Sequence, residues 1–216
     1  MVAHRQILLA CLGAFLAQTC SGYASVARTH SRVAAVSRVR DVIACAPPAA
    51  GVVVPPIVSE CGYDHRPLAN ALAKGDLLEA DAITRATLIG LGGEQAVMRG
   101  FVYFTEVKKL PYKDMATIDG LWRAYTDNKQ GFSVQSKYFN SPRIANNLIA
   151  LYKRIGWSNK EAKLLRWTSG DGNEFIYDND VAPAGHLPLT STLRGTRLLL
   201  ELMKHPAIVE ASKTVK

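Results

Sequence analysis

Apolar residues recur at helical spacing along much of this chain, and that periodicity constrains the fold more than any other feature. In the clearest case, four residues stand at positions i, i+3, i+4 and i+7 and so share one face of a helix: Ile118, Leu121, Trp122 and Tyr125. The two-residue alternation that is typical of strands has one short candidate, a ribbon at 175–177. The sequence therefore predicts an all-α fold.

Capping and helix-breaking residues set the expected limits of the helices. A short helix is expected over Pro67–Ala73, and Asp76 can cap the N-terminus of a second helix that reaches about Gly90. The chain breaks at Pro111, and a helix restarts at Asp114. Three more helices are expected, at 95–104, 145–154 and 192–204.

The first 55 residues, called the leader here, differ in composition from the rest and indicate a targeting sequence. Residues 1–24 combine an early arginine, an apolar run at 7–17 and small residues at 20–24, as a signal peptide does. A bilayer-spanning helix needs about 20 apolar residues, so a removable signal is favoured over an anchor. Residues 25–55 are rich in arginine and serine and resemble a transit peptide; a secreted protein with a basic linker is the alternative. Residues 56–210 then form one domain.

Charge and cysteine content indicate an ordinary soluble domain that is held by its core. The five arginines of the leader, less Asp41, account for half of the formal net charge of +8. The excess that remains is too mild to call for nucleic acid. Three of the four cysteines also lie in the leader, which leaves Cys61 without an intramolecular disulfide partner. About 150 residues are enough to bury one such core.

The residue types that common chemistries require are sparse beyond the leader. The histidines there are His65, His186 and His205, and none stands in a nucleophile or zinc-binding motif. The glycines at 90–93 lack the lysine of a phosphate-binding loop. His186 could ligate the metal of a macrocycle, but the prolines on both sides favour a structural histidine that anchors its loop by hydrogen bonds. We expect no enzymatic activity.

Residues 182–197 form a proline-bracketed loop that leads into the last helix. Pro183 and Pro188 restrict the backbone, and Ser191 or Thr190 can cap the helix that follows. Arg194 and Arg197 are three residues apart, so their guanidinium groups share the helical face beside the loop. Planar guanidinium groups suit carboxylates, and the segment therefore predicts a binding rim for an acidic ligand.

Pairing within a helix is the alternative role for the arginines of this chain. Arg197 stands four residues before Glu201, and Arg85 stands four residues after Asp81. An exposed pair of this kind contributes well under about 1 kcal/mol, so a purely local role predicts little effect of losing either arginine.

The motif Pro-Ala-Gly-His-Leu-Pro at 183–188, followed by Leu-Arg-Gly-Thr-Arg at 193–197, resembles the genomes-uncoupled-four family of tetrapyrrole-binding regulators of magnesium chelatase. Further motifs occur in the order of that family and cover about residues 60–207: Glu79-Ala80-Asp81 with Thr84-Arg85, Tyr103 to Val107, Ile118-Asp119 with Leu121-Trp122, Gly131 to Gln135, Ile155-Gly156-Trp157, Arg166-Trp167 and His205-Pro206. The resemblance implies a single compact helical domain with long loops that form a porphyrin-binding cleft.

The resemblance also implies ligand, partner and location. We expect binding of protoporphyrin IX and magnesium protoporphyrin IX, and contact with the large porphyrin-binding subunit of magnesium chelatase, which would be stimulated without any catalysis by this protein. We also expect a role in plastid signalling or photoprotection. The same resemblance implies no binding of nucleic acid and at most a peripheral association with membranes. The bipartite leader then indicates a plastid reached in two steps. The alternative is a porphyrin scavenger or sensor that does not act on the chelatase.

Site residues carried over from the family fall on its ligand cleft: Arg85, Phe104, Trp167, Ser191, Arg194 and Arg197. Apolar side chains that could line a slot for the porphyrin ring add Phe132, Leu187 and Leu193 to Phe104 and Trp167. The chain departs from the family at two positions, with Ser191 where relatives carry asparagine and Gln130 where an aromatic residue is usual.

Overall fold

The computed structural model describes residues 53–167, 172–190 and 196–215. Within these ranges the chain is helical and forms no strand; an isolated bridge joins Ser158 to Leu164. The all-α prediction is confirmed, whereas the ribbon at 175–177 does not form. The signal peptide predicted at 1–24, all but the last three residues of 25–55, and the site candidates Ser191, Leu193 and Arg194 lie outside the described residues.

Eight α-helices and a 3-10 turn make up the regular structure of the described residues. In chain order they are α1 Arg66–Ala73, α2 Leu77–Leu91, α3 Glu94–Arg99, the 3-10 turn Val107–Lys109, α4 Tyr112–Tyr125, α5 Phe132–Phe139, α6 Leu148–Arg154, α7 Thr196–Met203 and α8 Pro206–Ser212. None of the described helices is long and apolar enough to cross a membrane.

Two helix predictions were too long, and the backbone shows why. The helix predicted at 95–104 ends at Arg99, because Gly100 adopts a left-handed φ of 73° and terminates it. The helix predicted at 145–154 begins only at Leu148, since Asn146 has a φ of 60° and Asn147 caps the N-terminus by accepting hydrogen bonds from the first turn. The predicted cap at Asp76 is confirmed by a 3.0 Å hydrogen bond from the Glu79 amide.

Helix α4 supplies much of the core. Of the four residues predicted to share its apolar face, Ile118, Leu121 and Trp122 have no exposed surface and Tyr125 is partly buried against the core. Met115 is also fully buried, and the helix packs against α1 and α8. The Trp122 indole donates a 2.9 Å hydrogen bond to the hydroxyl of Thr84 in α2, so this large side chain is buried without an unsatisfied donor.

An extended segment at 54–63, called the N-terminal strap here, lies along α4. Pro55 packs beside Gly120, and the backbone of Val58 forms two hydrogen bonds with the Thr117 hydroxyl. Further along, Asp114 accepts hydrogen bonds from the strap. The ordered packing therefore reaches back to the C-terminal end of the leader, and the domain limits of 56–210 stay a prediction.

Candidate functional site

Most of the segment 182–190, the described first part of the predicted binding rim, is buried. His186 and Leu187 have no exposed surface, and Leu189 and Thr190 have almost none. A buried irregular segment needs partners for its backbone, and side chains around α5 provide them. Gln130 accepts a hydrogen bond from the Leu187 amide at 2.9 Å and donates one to the Pro183 carbonyl, while Gln135 donates to the carbonyls of Gly185 and Pro188 at 3.0 Å each.

His186 anchors this segment through both ring nitrogens, as the sequence predicted for a structural histidine. Its Nε2 accepts a 3.0 Å hydrogen bond from the Ile176 amide, so Nδ1 donates to the Ile155 carbonyl at 2.7 Å. Burial lowers the pKa of the ring below the ordinary histidine value, although the bond to Ile155 opposes that shift. The neutral imidazole has no lone pair left for a metal, and the described residues contain no cluster of three or more potential ligands.

Asp81 connects α2 to the same segment. Its Oδ1 accepts a 2.7 Å hydrogen bond from the Leu189 amide, and its Oδ2 lies 3.5 Å from Nη2 of Arg85. The predicted pairing of Arg85 with Asp81 is therefore present, but the carboxylate is fully buried rather than exposed. Burial raises the pKa of Asp81 to about 6, and Arg85 and the Leu189 amide oppose that rise.

Arg85 also stacks on an aromatic ring. Its guanidinium carbon lies 4.8 Å from the centroid of Trp167, a partly buried residue that packs against the core. A cation over the face of a tryptophan is attracted by the ring, so each of the two groups holds the other in place. Two of the predicted site residues are thus brought together.

A second pair of predicted site residues joins α7 to the loop before the 3-10 turn. The guanidinium carbon of Arg197, an exposed residue, lies 5.5 Å from the ring centroid of Phe104, whose surface is 37% exposed. The alternative prediction paired Arg197 with Glu201. The Glu201 carboxylate instead lies 3.7 Å from Nζ of Lys204. Arg197 and Phe104 therefore offer a charged and an apolar surface side by side.

The loop that carries Phe104 is fixed by a salt bridge that the sequence analysis did not identify. Nη2 of Arg99 lies 2.8 and 2.7 Å from the two carboxylate oxygens of Glu106, and the same carboxylate accepts the Tyr103 amide at 2.9 Å. The Arg99 guanidinium also lies 4.6 Å from the Tyr103 ring centroid. The Arg99–Glu106 pair closes the turn at 103–105 and orients Phe104.

Core residues next to each of the two arginines meet between α2 and α7. Leu88 of α2, one turn after Arg85, lines a narrow gap together with Val102 and with Leu198 of α7, the neighbour of Arg197. Phe132 and Leu187 behave differently from the pairs, because neither has any exposed surface. A ligand could contact them only after a rearrangement, and their role as ligand contacts stays a prediction.

A cavity of about 700 Å³ lies elsewhere, between α6 and α7. Its walls include Leu148, Ile149, Leu200 and Met203, and none of the described site candidates lines it. Its volume is within the range of ligand pockets, so it is a rival location for an apolar ligand and any binding experiment has to exclude it.

A protein-family model described as GUN4-like matches residues 58–206. The chain belongs to the GUN4-like family. The resemblance inferred from the motifs is thereby confirmed. Among curated GUN4-like relatives, a Ycf53-like protein of Synechocystis is 39% identical over 151 residues, which are 70% of this chain and 61% of that protein. An Arabidopsis thaliana protein named "Tetrapyrrole-binding protein, chloroplastic" is 36% identical over 147 residues, or 67% of this chain and 55% of that protein.

Solved GUN4 structures share the fold. GUN4 of Chlamydomonas reinhardtii superposes with a TM-score of 0.63 at 40% identity, covering 71% of this chain and 93% of that one. The ligand-free GUN4 of Arabidopsis thaliana superposes with a TM-score of 0.59 at 35% identity, covering 70% and 99%. The chain therefore spans nearly the whole of these structures, but less than two thirds of the length of the two curated relatives.

Proposed function

We propose that this protein binds protoporphyrin IX and its magnesium form, and that it acts in the plastid as a non-catalytic regulator of magnesium chelatase. Membership of the GUN4-like family supports the ligand class, as does the name of the Arabidopsis relative, tetrapyrrole-binding protein. The word chloroplastic in that name supports the location. The chelatase partner follows from the family resemblance of the motifs.

The observation that carries the binding proposal is the arrangement of Phe104 beside Arg197 and of Trp167 beside Arg85. A porphyrin has a broad apolar ring and two propionate groups. Burial of its faces against aromatic side chains supplies most of the affinity, at roughly 25 cal/mol per Å² of apolar surface. Guanidinium groups at the edge then bind the propionates through charge-assisted hydrogen bonds.

The role of each arginine differs with its surroundings. Arg197 is exposed and lies beside an exposed aromatic ring, so it is the arginine we assign to a propionate, together with the predicted Arg194. Arg85 is 14% exposed and is held by Asp81 and Trp167, so its main role is to orient the Trp167 indole. In this proposal Arg197 binds a propionate group of the porphyrin, whereas Arg85 orients the aromatic ring of Trp167 that the porphyrin packs against.

A titration of the full chain with protoporphyrin IX tests the proposal. Binding should quench tryptophan emission and shift the porphyrin absorption band, because Trp167 lies in the proposed site. If saturating porphyrin changes neither signal, the binding proposal is wrong.

Matched variants then locate the site. Arg197→Ala and Arg194→Ala should each weaken binding about ten- to a hundredfold, since a lost charge-assisted hydrogen bond costs about 1.5–3 kcal/mol. Arg154→Ala is the control: its guanidinium carbon also lies over an aromatic ring, 4.3 Å from the centroid of Tyr138, but outside the proposed site. Ile149→Asp places a charge at the mouth of the rival cavity, where Ile149 is 71% exposed. A loss of binding in that variant alone would move the site to the cavity.

The regulatory part of the proposal has its own test. Purified magnesium chelatase should insert magnesium faster when the porphyrin-loaded full chain is added. Porphyrin binding without any stimulation would leave a scavenger or sensor as the function. An Arg197→Ala variant that binds porphyrin normally but no longer stimulates would show that this face contacts the enzyme instead of the ligand.

A further inference from the structure

Asp81 is a buried carboxylate that joins three parts of the chain. It belongs to α2, it bonds the amide of Leu189 across 108 residues of sequence, and through Arg85 it reaches the ring of Trp167. Its Oδ2 forms no hydrogen bond among the described residues, although the atom is buried. Burying a carboxylate oxygen without a hydrogen bond costs free energy, so packing alone does not explain why a charged side chain stands at this position.

Within the described part of the chain, few charged or titratable groups face Asp81. From its own helix there is Arg85, and from the segment around 177 there is Tyr177, whose pKa is raised first by burial and further by the negative charge of Asp81. The segment 182–190 contributes the neutral Leu189 amide. Arg85 is thus the cation that the Asp81 charge acts on. Ionised Asp81 attracts the guanidinium, whereas protonated Asp81 keeps only the bond to Leu189.

We infer that Asp81 is the positioning residue of the proposed porphyrin site: in its ionised form it holds Arg85 against Trp167, and through the Leu189 amide it fixes the segment 182–190. The consequence of the inference rests on the proposed function: porphyrin affinity should depend on the ionisation of Asp81, although Asp81 does not touch the porphyrin. The positioning itself is a property of the protein without ligand, and it can be measured separately.

The variant Asp81→Asn separates charge from shape. Asparagine has nearly the same volume and keeps an oxygen that can accept the Leu189 amide, but it removes the attraction for Arg85. We expect protoporphyrin affinity at pH 7.5 to fall about tenfold, as the loss of one charge-assisted interaction predicts. The matched control is Asp76→Asn, which changes an exposed aspartate at the start of the same helix and should leave affinity within about twofold.

A pH profile distinguishes positioning from a merely structural role. The pKa of Asp81 is raised to about 6, so the affinity of the wild type should fall as the pH goes from 7.5 to 5.5, while Asp81→Asn should lose only what protonation of the propionates removes. Parallel profiles of the two proteins would overturn the inference. The melting temperature is measured with each titration; an asparagine variant that melts much earlier and binds in proportion to its folded fraction would also overturn it.

Arg85→Gln and the double variant complete the test. If Asp81 acts through Arg85, the single variant Arg85→Gln loses the pH dependence, and adding Asp81→Asn lowers affinity no further. Additive losses would mean that the two residues act independently, and the inference would fail.

A ligand-free signal keeps the inference testable even if no porphyrin binds. The emission of Trp167, taken as the difference between the wild type and Trp167→Phe, should change through about pH 6 in the wild type and stay constant in Asp81→Asn. No change in the wild type would refute the positioning of Trp167. Absence of porphyrin binding together with a normal emission change would refute the proposed function and leave the positioning intact.

Discussion

Asp114 should be among the most sensitive polar residues of the fold, because it holds the N-terminal strap onto α4. Its Oδ1 accepts hydrogen bonds from the Ser59 hydroxyl at 2.5 Å and from His65 Nε2 at 2.8 Å, and its Oδ2 accepts the Glu60 amide at 2.8 Å. Asp114→Ala removes the acceptor for these three donors, of which His65 is buried, and for the Cys61 thiol, which lies 3.7 Å from Oδ1. The strap would then be held mainly by Val58 and Pro55.

The expected cost follows from these contacts. Each hydrogen bond to a charged group contributes about 1.5–3 kcal/mol, but the three are not additive, and water can replace the bond to the exposed Glu60 amide. We therefore expect the free energy of unfolding to fall by about 3 kcal/mol, which lowers the melting temperature of a domain of this size by about 6–12 °C. The control Asp64→Asn removes an ion pair with Arg66 in which both side chains are about half exposed, and it should cost at most about 1 kcal/mol.

Thermal and urea unfolding of the full chain, followed by circular dichroism, measures both variants. The pH dependence of the stability gives a further test. Burial raises the pKa of Asp114, but the hydrogen bonds from Ser59, Glu60 and His65 outweigh burial, and the pKa is lowered overall. Its stabilisation is therefore present above the ordinary carboxyl pKa and is lost as the pH falls through the lower folded value. The deficit of Asp114→Ala should be full at pH 7 and shrink in acid. An alanine variant that melts within 2 °C of the Asp64→Asn control, where the expected difference is about 4 °C or more, would refute the account of the strap.

Three further predictions concern other parts of the chain. Glu106→Gln weakens the ion pair in which Nη2 of Arg99 contacts both carboxylate oxygens, and with Phe104 less well oriented the porphyrin affinity should fall about threefold at unchanged helicity. A wild-type dissociation constant would contradict this. His186→Ala leaves the buried Ile155 carbonyl and the partly buried Ile176 amide unpaired and should cost about 2–4 kcal/mol in urea unfolding. N-terminal sequencing of the protein from isolated plastids should find a mature end within Val42–Pro56, and a chain that still starts near residue 25 would contradict the two-step leader.

Helices were predictable where capping and periodicity agreed, and were missed where the buried face is polar. Helix α2 has a capping aspartate, and α4 has a continuous apolar face. Helix α5, by contrast, buries Ser133, Gln135 and Ser136 among its apolar residues, so no amphipathic pattern marks it. Helix α8 is seven residues long and is capped by a histidine, which is not a common capping residue.

For the site, the sequence identified the residues but not which of them lie next to each other. The family motifs named Arg85, Trp167, Phe104 and Arg197, and the structure joins them as two arginine–aromatic pairs. Neither pairing could be read from the sequence, because the partners lie far apart along the chain. Apolar motif residues were harder to assign from the sequence. Phe132 is an aromatic residue of the kind that could line a slot for the porphyrin, but it is fully buried in the core, and apolar character alone does not distinguish these two environments.

The segment 182–190 explains why affinity should depend on residues that no ligand touches. Its backbone is satisfied mostly by side chains, and leaving any one of these groups unpaired in the interior costs more than the bond itself contributes, so the segment is restricted to one arrangement. Gln130 shows the consequence: its amide both accepts the Leu187 amide and donates to the Pro183 carbonyl. Of the aromatic residues that the family resemblance leads us to expect here, phenylalanine could form neither bond and tryptophan could only donate. The glutamine therefore fixes the path of the segment 182–190 by hydrogen bonds to both of these backbone groups.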